Sequence, residues 1–221
     1  IYVNPLQFGP NEDLDVYPRT LDQDLMHLEK ISCDAVFCPA PDFAKNAIKL
    51  SANSALSKKL CGISRPHFFD GVITILNYLF QLVRPNNVFF GLKDYQQYLI
   101  VKDFLINSNL NIDIHGVPTQ REKDGLAMSS RNNLLSSQQR VNAKHLPVIL
   151  KEIAKRSKYE NLADLKIEGI ERLENLNFNV DYFLFCNSTT LEELFKFESN
   201  TLVAIAAKLG NVRLIDNFII Q

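Results

Sequence analysis

One stretch restricts the possible folds more than any other. Residues 87–91, NVFFG, have the apolar and aromatic content of a short strand. Residues 94–107, DYQQYLIVKDFLIN, place Tyr98, Val101 and Leu105 along one face of an amphipathic helix, and 111–117, NIDIHGV, return to strand composition. Strand, helix and strand in this order form a βαβ unit, which implies a parallel sheet with ligands at the carboxyl ends of its strands.

The flanking segments extend that pattern. The first residues, Ile1-Tyr2-Val3, read as a buried strand turning at Asn4-Pro5, and NEDLDVYPRT reads as a polar loop. Thr20 stands where it would N-cap a helix over TLDQDLMHLEK, with Asp22 and Asp24 in its first turn. Asp34–Cys38, stopped by Pro39, reads as another strand, and VITILNYLFQLV as a buried helix ended by Arg84-Pro85. Beyond Val117-Pro118 a polar stretch leads to a helix entered through Ser136 or Ser137, with more helix around 150–175. VDYFLFC, TLVAIAAKLG and VRLIDNFII, with turns at Asn187–Thr190 and Gly210-Asn211, suggest a small antiparallel sheet. The expected class is α/β: a parallel-sheet domain over 1–119 and a smaller α+β domain over 120–221.

Charge removes several functions. Lys and Arg total 24 against 25 Asp and Glu, so no net field draws in nucleic acid or an anionic membrane. No apolar run is long enough to span a bilayer. The four cysteines, Cys33, Cys38, Cys61 and Cys186, form no CxxC pair and argue against a metal site. Three lie in apolar surroundings, so buried, reduced thiols in a cytoplasmic protein are expected.

Four polar groupings could carry chemistry. In FGLKDYQQ, residues 90–97, Gly91 ends a strand where a helix begins, so backbone N–H groups there can meet an anion, and Lys93 adds a point charge. Asp94 could accept from a ribose, assist a metal or cap the helix, and Gln97 lies one turn further on; a capped helix with surface polar residues is the plainer alternative. In GLAMSSRN, residues 125–132, Ser129, Ser130 and Arg131 bring two hydroxyls and a guanidinium together, which suits a triphosphate; a run of capping serines is the alternative. Asn4 and Gln7 place amides at the end of the first expected strand, either as a polar turn or as groups orienting a hydroxyl or carboxylate. Arg65, His67 and Asp70 precede the buried helix without forming a hydrolytic triad by spacing.

Together and in this order, IYVNPLQFGPNEDLDVYPRT, the RP…F…GV segment, VFFGLKDYQQ, VPTQREKDGLAMSSRNNLL and VRLIDN resemble the pantoate–β-alanine ligase (pantothenate synthetase) family over essentially the whole chain. The resemblance implies a Rossmann-like nucleotidyltransferase domain related to class I aminoacyl-tRNA synthetases, and ATP-dependent joining of pantoate to β-alanine with Mg²⁺, in a homodimer. It places Gly91, Leu92, Lys93, Asp94, Gln120, Met128, Ser129, Ser130 and Arg131 at ATP. Lys93, Ser129, Ser130 and Arg131 act on the phosphates, and 128–131 is the counterpart of the synthetase KMSKS loop. Gln120 meets adenine through its backbone. Gln7, Gln97 and Asn4 fall to pantoate and β-alanine.

The chain also departs from the family. The family's PTMGALHxGH segment, whose histidines bind the ATP phosphates, occurs nowhere in it. The chain is therefore expected to be the larger C-terminal part, lacking the first βα unit, binding ATP weakly and turning over poorly by itself. Leu92 stands where the family usually has Glu, His67 is displaced by one position, and a Tyr-Pro element is absent from 39–50. Two other readings stay open: a diverged non-catalytic paralogue, and a related adenylate-forming enzyme acting on another acid.

Overall fold

The structure, a computed structural model, describes residues 1–10 and 12–220. Asn11, in the loop expected over 11–20, and Gln221 lie outside the described residues. The helices are α1 (Leu21–Lys30), α2 (Ser54–Ser57), α3 (Cys61–Ser64), α4 (Phe68–Val83), α5 (Tyr95–Asn107), α6 (Ser137–Ala143), α7 (His145–Arg156) and α8 (Leu162–Glu174). The strands are β1 (Asn87–Gly91), β2 (Asp113–Val117), β3 (Phe178–Asn187), β4 (Thr201–Leu209) and β5 (Val212–Ile220). They fall into two compact units, Ile1–Ala52 with Arg65–Pro85, and Asn53–Ser64 with Asn86–Gln221.

In the first unit, α4 buries Phe69, Val72, Ile73, Ile75 and Phe80 and ends where Arg84 adopts a left-handed conformation ahead of Pro85. Its packing partner is the 3-10 turn Pro5–Gln7. The approach is close enough to require glycine: a Cβ on Gly71 would lie 2.1 Å from the Leu6 carbonyl oxygen. The two strands expected at 1–3 and 34–38 are not strands. The Ile1 amine donates to the Phe37 carbonyl, but no ladder follows, and without a ladder β-branched and aromatic residues do not make a strand. Thr20 likewise donates its hydroxyl to Asp24 (3.3 Å) instead of capping the backbone of α1.

In the second unit, β1 and β2 pair in parallel with Asn87 opposite Asp113, and α5 makes the crossover. The antiparallel sheet runs β3-β4-β5, with β4 in the centre and buried on both faces. One face packs with α7 and α8 through Phe183, Phe185, Val203, Ile205 and Leu214. The other carries Tyr182, Leu184, Cys186, Leu202 and Ala204 against Leu60 and Leu99. A bulge between Val180 and Tyr182 interrupts the β3 register. Ser136 caps α6 in a reciprocal capping box with Gln139. Of the thiols only Cys61 and Cys186 are buried, whereas Cys33 and Cys38 are exposed, because their short segments join no sheet. Burial pushes the Cys186 thiol up to about 12, which keeps it protonated and inert.

Candidate active site

β1 ends at Gly91, passes through the 3-10 turn Leu92–Asp94, and enters α5 at Tyr95. Asp94 occupies the N-cap position but makes no side-chain cap bond, so it leaves the first N–H groups of α5 uncapped and able to meet an anion. Nothing lies within 4 Å of where a Gly91 Cβ would stand, so the strand end is open. Lys93 is half-buried, and its ammonium makes no ion pair among the described residues. Leu92, where the family usually carries Glu, lies against Gly116: a Cβ there would come within 2.7 Å of the leucine Cδ2.

The two glutamines that follow differ. Gln96 is buried, accepts from the Cys61 N–H (3.0 Å), and donates to the Leu56 (2.9 Å) and Lys59 (2.7 Å) carbonyls. Gln97 is half-buried, and its side chain makes no hydrogen bond among the described residues.

Residues 120–128 form a small hairpin. Arg121 bridges Ala127, the Met128 N–H donates to the Gln120 carbonyl (2.9 Å), and the Glu122 N–H donates to the Leu126 carbonyl (2.8 Å). The reversal is made at Gly125, whose φ of +89° is the left-handed region that glycine enters without strain. Arg140 clamps the hairpin through Glu122 (2.5 Å) and Asp124 (2.6 Å). Its hydrogen bond holds the Asp124 carboxyl below the usual carboxylate range. Asn132 is buried and donates to Glu122 (2.6 Å) and the Ala127 carbonyl (3.1 Å), leaving its Oδ1 without a partner. Ser129 begins the following 3-10 turn, its Oγ accepting from the Arg131 N–H (3.3 Å). Gln120, Met128 and Ser130 are exposed.

Strand β5 packs against both the Leu92–Asp94 turn and the Ser130–Leu134 turn, so the two groupings expected at phosphate share one support. Asp216, 2 % exposed, accepts two bonds from the Arg121 guanidinium (2.7 and 2.8 Å). Asn217 donates its side-chain N–H groups to the Leu92 (3.0 Å) and Lys93 (2.9 Å) carbonyls. Sequence reasoning misses both residues. The available signal is an adjacent carboxylate and amide in the middle of a largely apolar strand, VRLIDNFII.

In the first unit, Asn4 accepts from the Leu6 N–H (3.2 Å) and donates to the Gly71 carbonyl (3.1 Å) and to Gln7 Oε1 (3.2 Å). Asn4 thereby fixes the Gln7 amide and leaves its Nε2 to donate elsewhere. Arg65 grips both oxygens of Glu12 (2.5 Å each), donates to the Gln7 carbonyl (3.0 Å) and lies 3.7 Å over the Phe68 ring. Asp70 accepts from the Ala52 N–H (2.8 Å). Arg65 and Asp70 therefore hold backbone, and His67 stands exposed beside them.

A sequence profile of the family described as pantoate-beta-alanine ligase matches residues 1–219. The chain belongs to the pantoate–β-alanine ligase family. It is 43% identical to a pantothenate synthetase of Acidithiobacillus ferrooxidans, across 100% of this chain and 82% of that protein. The crystal structure of pantothenate synthetase from Thermus thermophilus superposes with a TM-score of 0.93 at 35% identity, covering 98% of this chain and 80% of that one. A pantoate–β-alanine ligase from Francisella tularensis, complexed with beta-gamma ATP and β-alanine, superposes with a TM-score of 0.81 at 31% identity, covering 99% and 77%. The family fold accounts for both the parallel pair and the separate antiparallel sheet.

Proposed function

We propose that this ligase-family chain carries out the ATP-dependent condensation of pantoate with β-alanine to pantothenate, releasing AMP and pyrophosphate. The observation that carries the reading is the seating of Lys93 and the Ser129–Arg131 segment on the same strand, β5, in a chain whose relative from Francisella was crystallised with an ATP species and β-alanine.

The chemistry asks for position and charge. Pantoate carboxylate attacks the α-phosphorus in line and pyrophosphate leaves; the amine of β-alanine then attacks the acyl adenylate and AMP leaves. Neither step needs a protein nucleophile, so alignment of the reactants and neutralisation of phosphate charge supply the rate. Lys93 offers a point charge beside the uncapped start of α5, and Arg131 with the Ser129 and Ser130 hydroxyls grips phosphate oxygens. Gly91, Leu92, Asp94, Gln120 and Met128 line the nucleotide, Gln120 through its backbone. By the family resemblance Gln7, with Asn4 behind it, serves pantoate and then β-alanine, and Gln97 serves pantoate, each through neutral hydrogen bonds.

Among the described residues no group of three or more His, Cys, Asp or Glu could hold a metal ion. A Mg²⁺ bound through nucleotide phosphates and water needs no such cage, and the Asp94 carboxylate, exposed and uncommitted to the helix cap, fits as its protein oxygen. Such an ion would neutralise charge on the phosphates. A homodimer in the cytoplasm, with nucleotide and acid handled by 1–119 and the phosphate loop by 120–221, completes the proposal.

Pyrophosphate exchange with ATP across a panel of hydroxy acids tests it. Exchange that depends on pantoate, followed by AMP release on adding β-alanine, is expected. Exchange driven equally well by other acids would replace pantoate, and ATP binding with no exchange for any acid would favour a non-catalytic role.

A further inference from the structure

Asp216 and Asn217 are consecutive on β5, and strand alternation sends them to opposite faces of the sheet. Asp216 shares the face of Leu214 and Phe218, which meets the α7 and α8 core. There its carboxylate takes the Arg121 guanidinium, which also donates to the Gly125 carbonyl (3.0 Å) and lies 4.5 Å from the Phe218 ring. That single carboxylate therefore holds both the stem and the tip of the 121–127 hairpin, from which Ser129–Arg131 emerges. On the other face, Asn217 holds two successive carbonyls of the turn that presents Lys93. The Asn217 N–H donates to Asp216 Oδ1 (2.8 Å), tying the two anchors together.

We propose that the Asp216–Asn217 dipeptide is the positioning element of the nucleotide phosphates: one rigid strand sets the placement of the Lys93 ammonium relative to the Ser129–Arg131 loop. The inference rests on the phosphate-binding reading given above. Both residues act through others, and the chemistry is selective. Bridging two carbonyls takes two N–H donors on one group, which an asparagine amide has and a carboxylate lacks. Asp at 217 would set acceptor against acceptor, whereas Ala would leave the carbonyls to water.

The test uses the full chain with Asn217→Ala, Asn217→Asp and Arg121→Lys. Backbone deuterium exchange over 92–97 and 121–131 is read beside MgATP affinity and the KM of each substrate. Both Asn217 variants are expected to speed exchange at 92–97 and to raise the KM for ATP roughly tenfold, Asp more than Ala, while kcat and the KM values for acid and amine stay within about twofold. Arg121→Lys is expected to speed exchange at 121–131 and leave 92–97 protected. Unchanged exchange at 92–97 in both Asn217 variants would overturn the inference whatever ATP does. Equal losses for all three substrates, with a lowered melting temperature, would also overturn it and reduce Asn217 to a fold-stabilising residue. Segment-specific exchange changes in the variants, with a wild-type chain that binds no ATP, would sink the ligand reading and leave the anchor standing.

Discussion

Gln96 and Gln97 are neighbours with opposite commitments: the first has its whole amide bound to the backbone of residues 56–61, and the second has no side-chain partner among the described residues. Removing the first strands a buried N–H and two carbonyls, so Gln96→Ala is expected to lower the unfolding free energy by about 3 kcal/mol. Gln97→Ala should change it by less than about 0.5 kcal/mol while raising the KM for the acid. Urea unfolding and steady-state kinetics on the two variants separate these outcomes. A Gln97→Ala variant with an unaltered KM for pantoate would remove Gln97 from the proposed site.

The half-buried Lys93 ammonium lacks an ion-pair partner among the described residues, so its replacement breaks no salt bridge there. Lys93→Ala is expected to lower kcat/KM for ATP about 100-fold with an unchanged unfolding midpoint. Lys93→Arg should restore only part, because a planar fork does not reproduce a compact point charge. Retention of wild-type kcat/KM in Lys93→Ala would place the phosphates elsewhere.

At Gly71 a methyl group has no room against the Leu6 carbonyl. Gly71→Ala gains helix propensity of about 1 kcal/mol, but overpacking against backbone costs more, so a net loss of about 2 kcal/mol is expected. Displacing the 5–7 turn also shifts Gln7, so the KM for the acid should rise with it. Thermal unfolding and the acid dependence of the rate check both effects; a more stable Gly71→Ala protein would contradict the packing argument.

Asp124 is held below the usual carboxylate range first by its hydrogen bond from Arg140. A depressed folded-state value means that its contribution is complete above the unfolded value of about 4 and is lost as pH falls through the folded value. The pair is about a third exposed, 31% on each side chain, so the contribution stays below about 1 kcal/mol. Wild type should exceed Asp124→Asn in stability at about pH 7, and the gap should narrow as pH falls below the unfolded value of about 4. A gap that widens on acidification would reverse the assignment.

Elements whose evidence is periodic were legible in the sequence. The βαβ unit from Asn87 to Val117 and the three antiparallel strands each change hydrophobic period where they begin and end. The helix entered at Ser136 or Ser137 was legible, and the capping box with Gln139 decides for Ser136. What depends on distant partners was not legible. Ile1–Val3 and Asp34–Cys38 have strand composition, but a ladder is made by neighbours. Gln97 stood out in the sequence, but the structural role of Gln96 beside it shows only in its buried bonds to residues 56–61. Asn217 contacts a turn 124 positions earlier, and no local pattern carries that information.

The bulge in β3 changes which way the strand's side chains count. Before it, Phe178 and Val180 face the α7–α8 core; after it, Phe183 and Phe185 do, so even numbers hand the core over to odd ones. Asp181 is the residue that makes the change, and it accepts from Arg213 (2.7 Å). Deleting it would do less to shorten the strand than to turn half of it inside out, exchanging Phe183 and Phe185 for Tyr182 and Leu184 on the far side. A one-residue change that a surface loop would absorb is thus, at this position, a change of parity for half of β3.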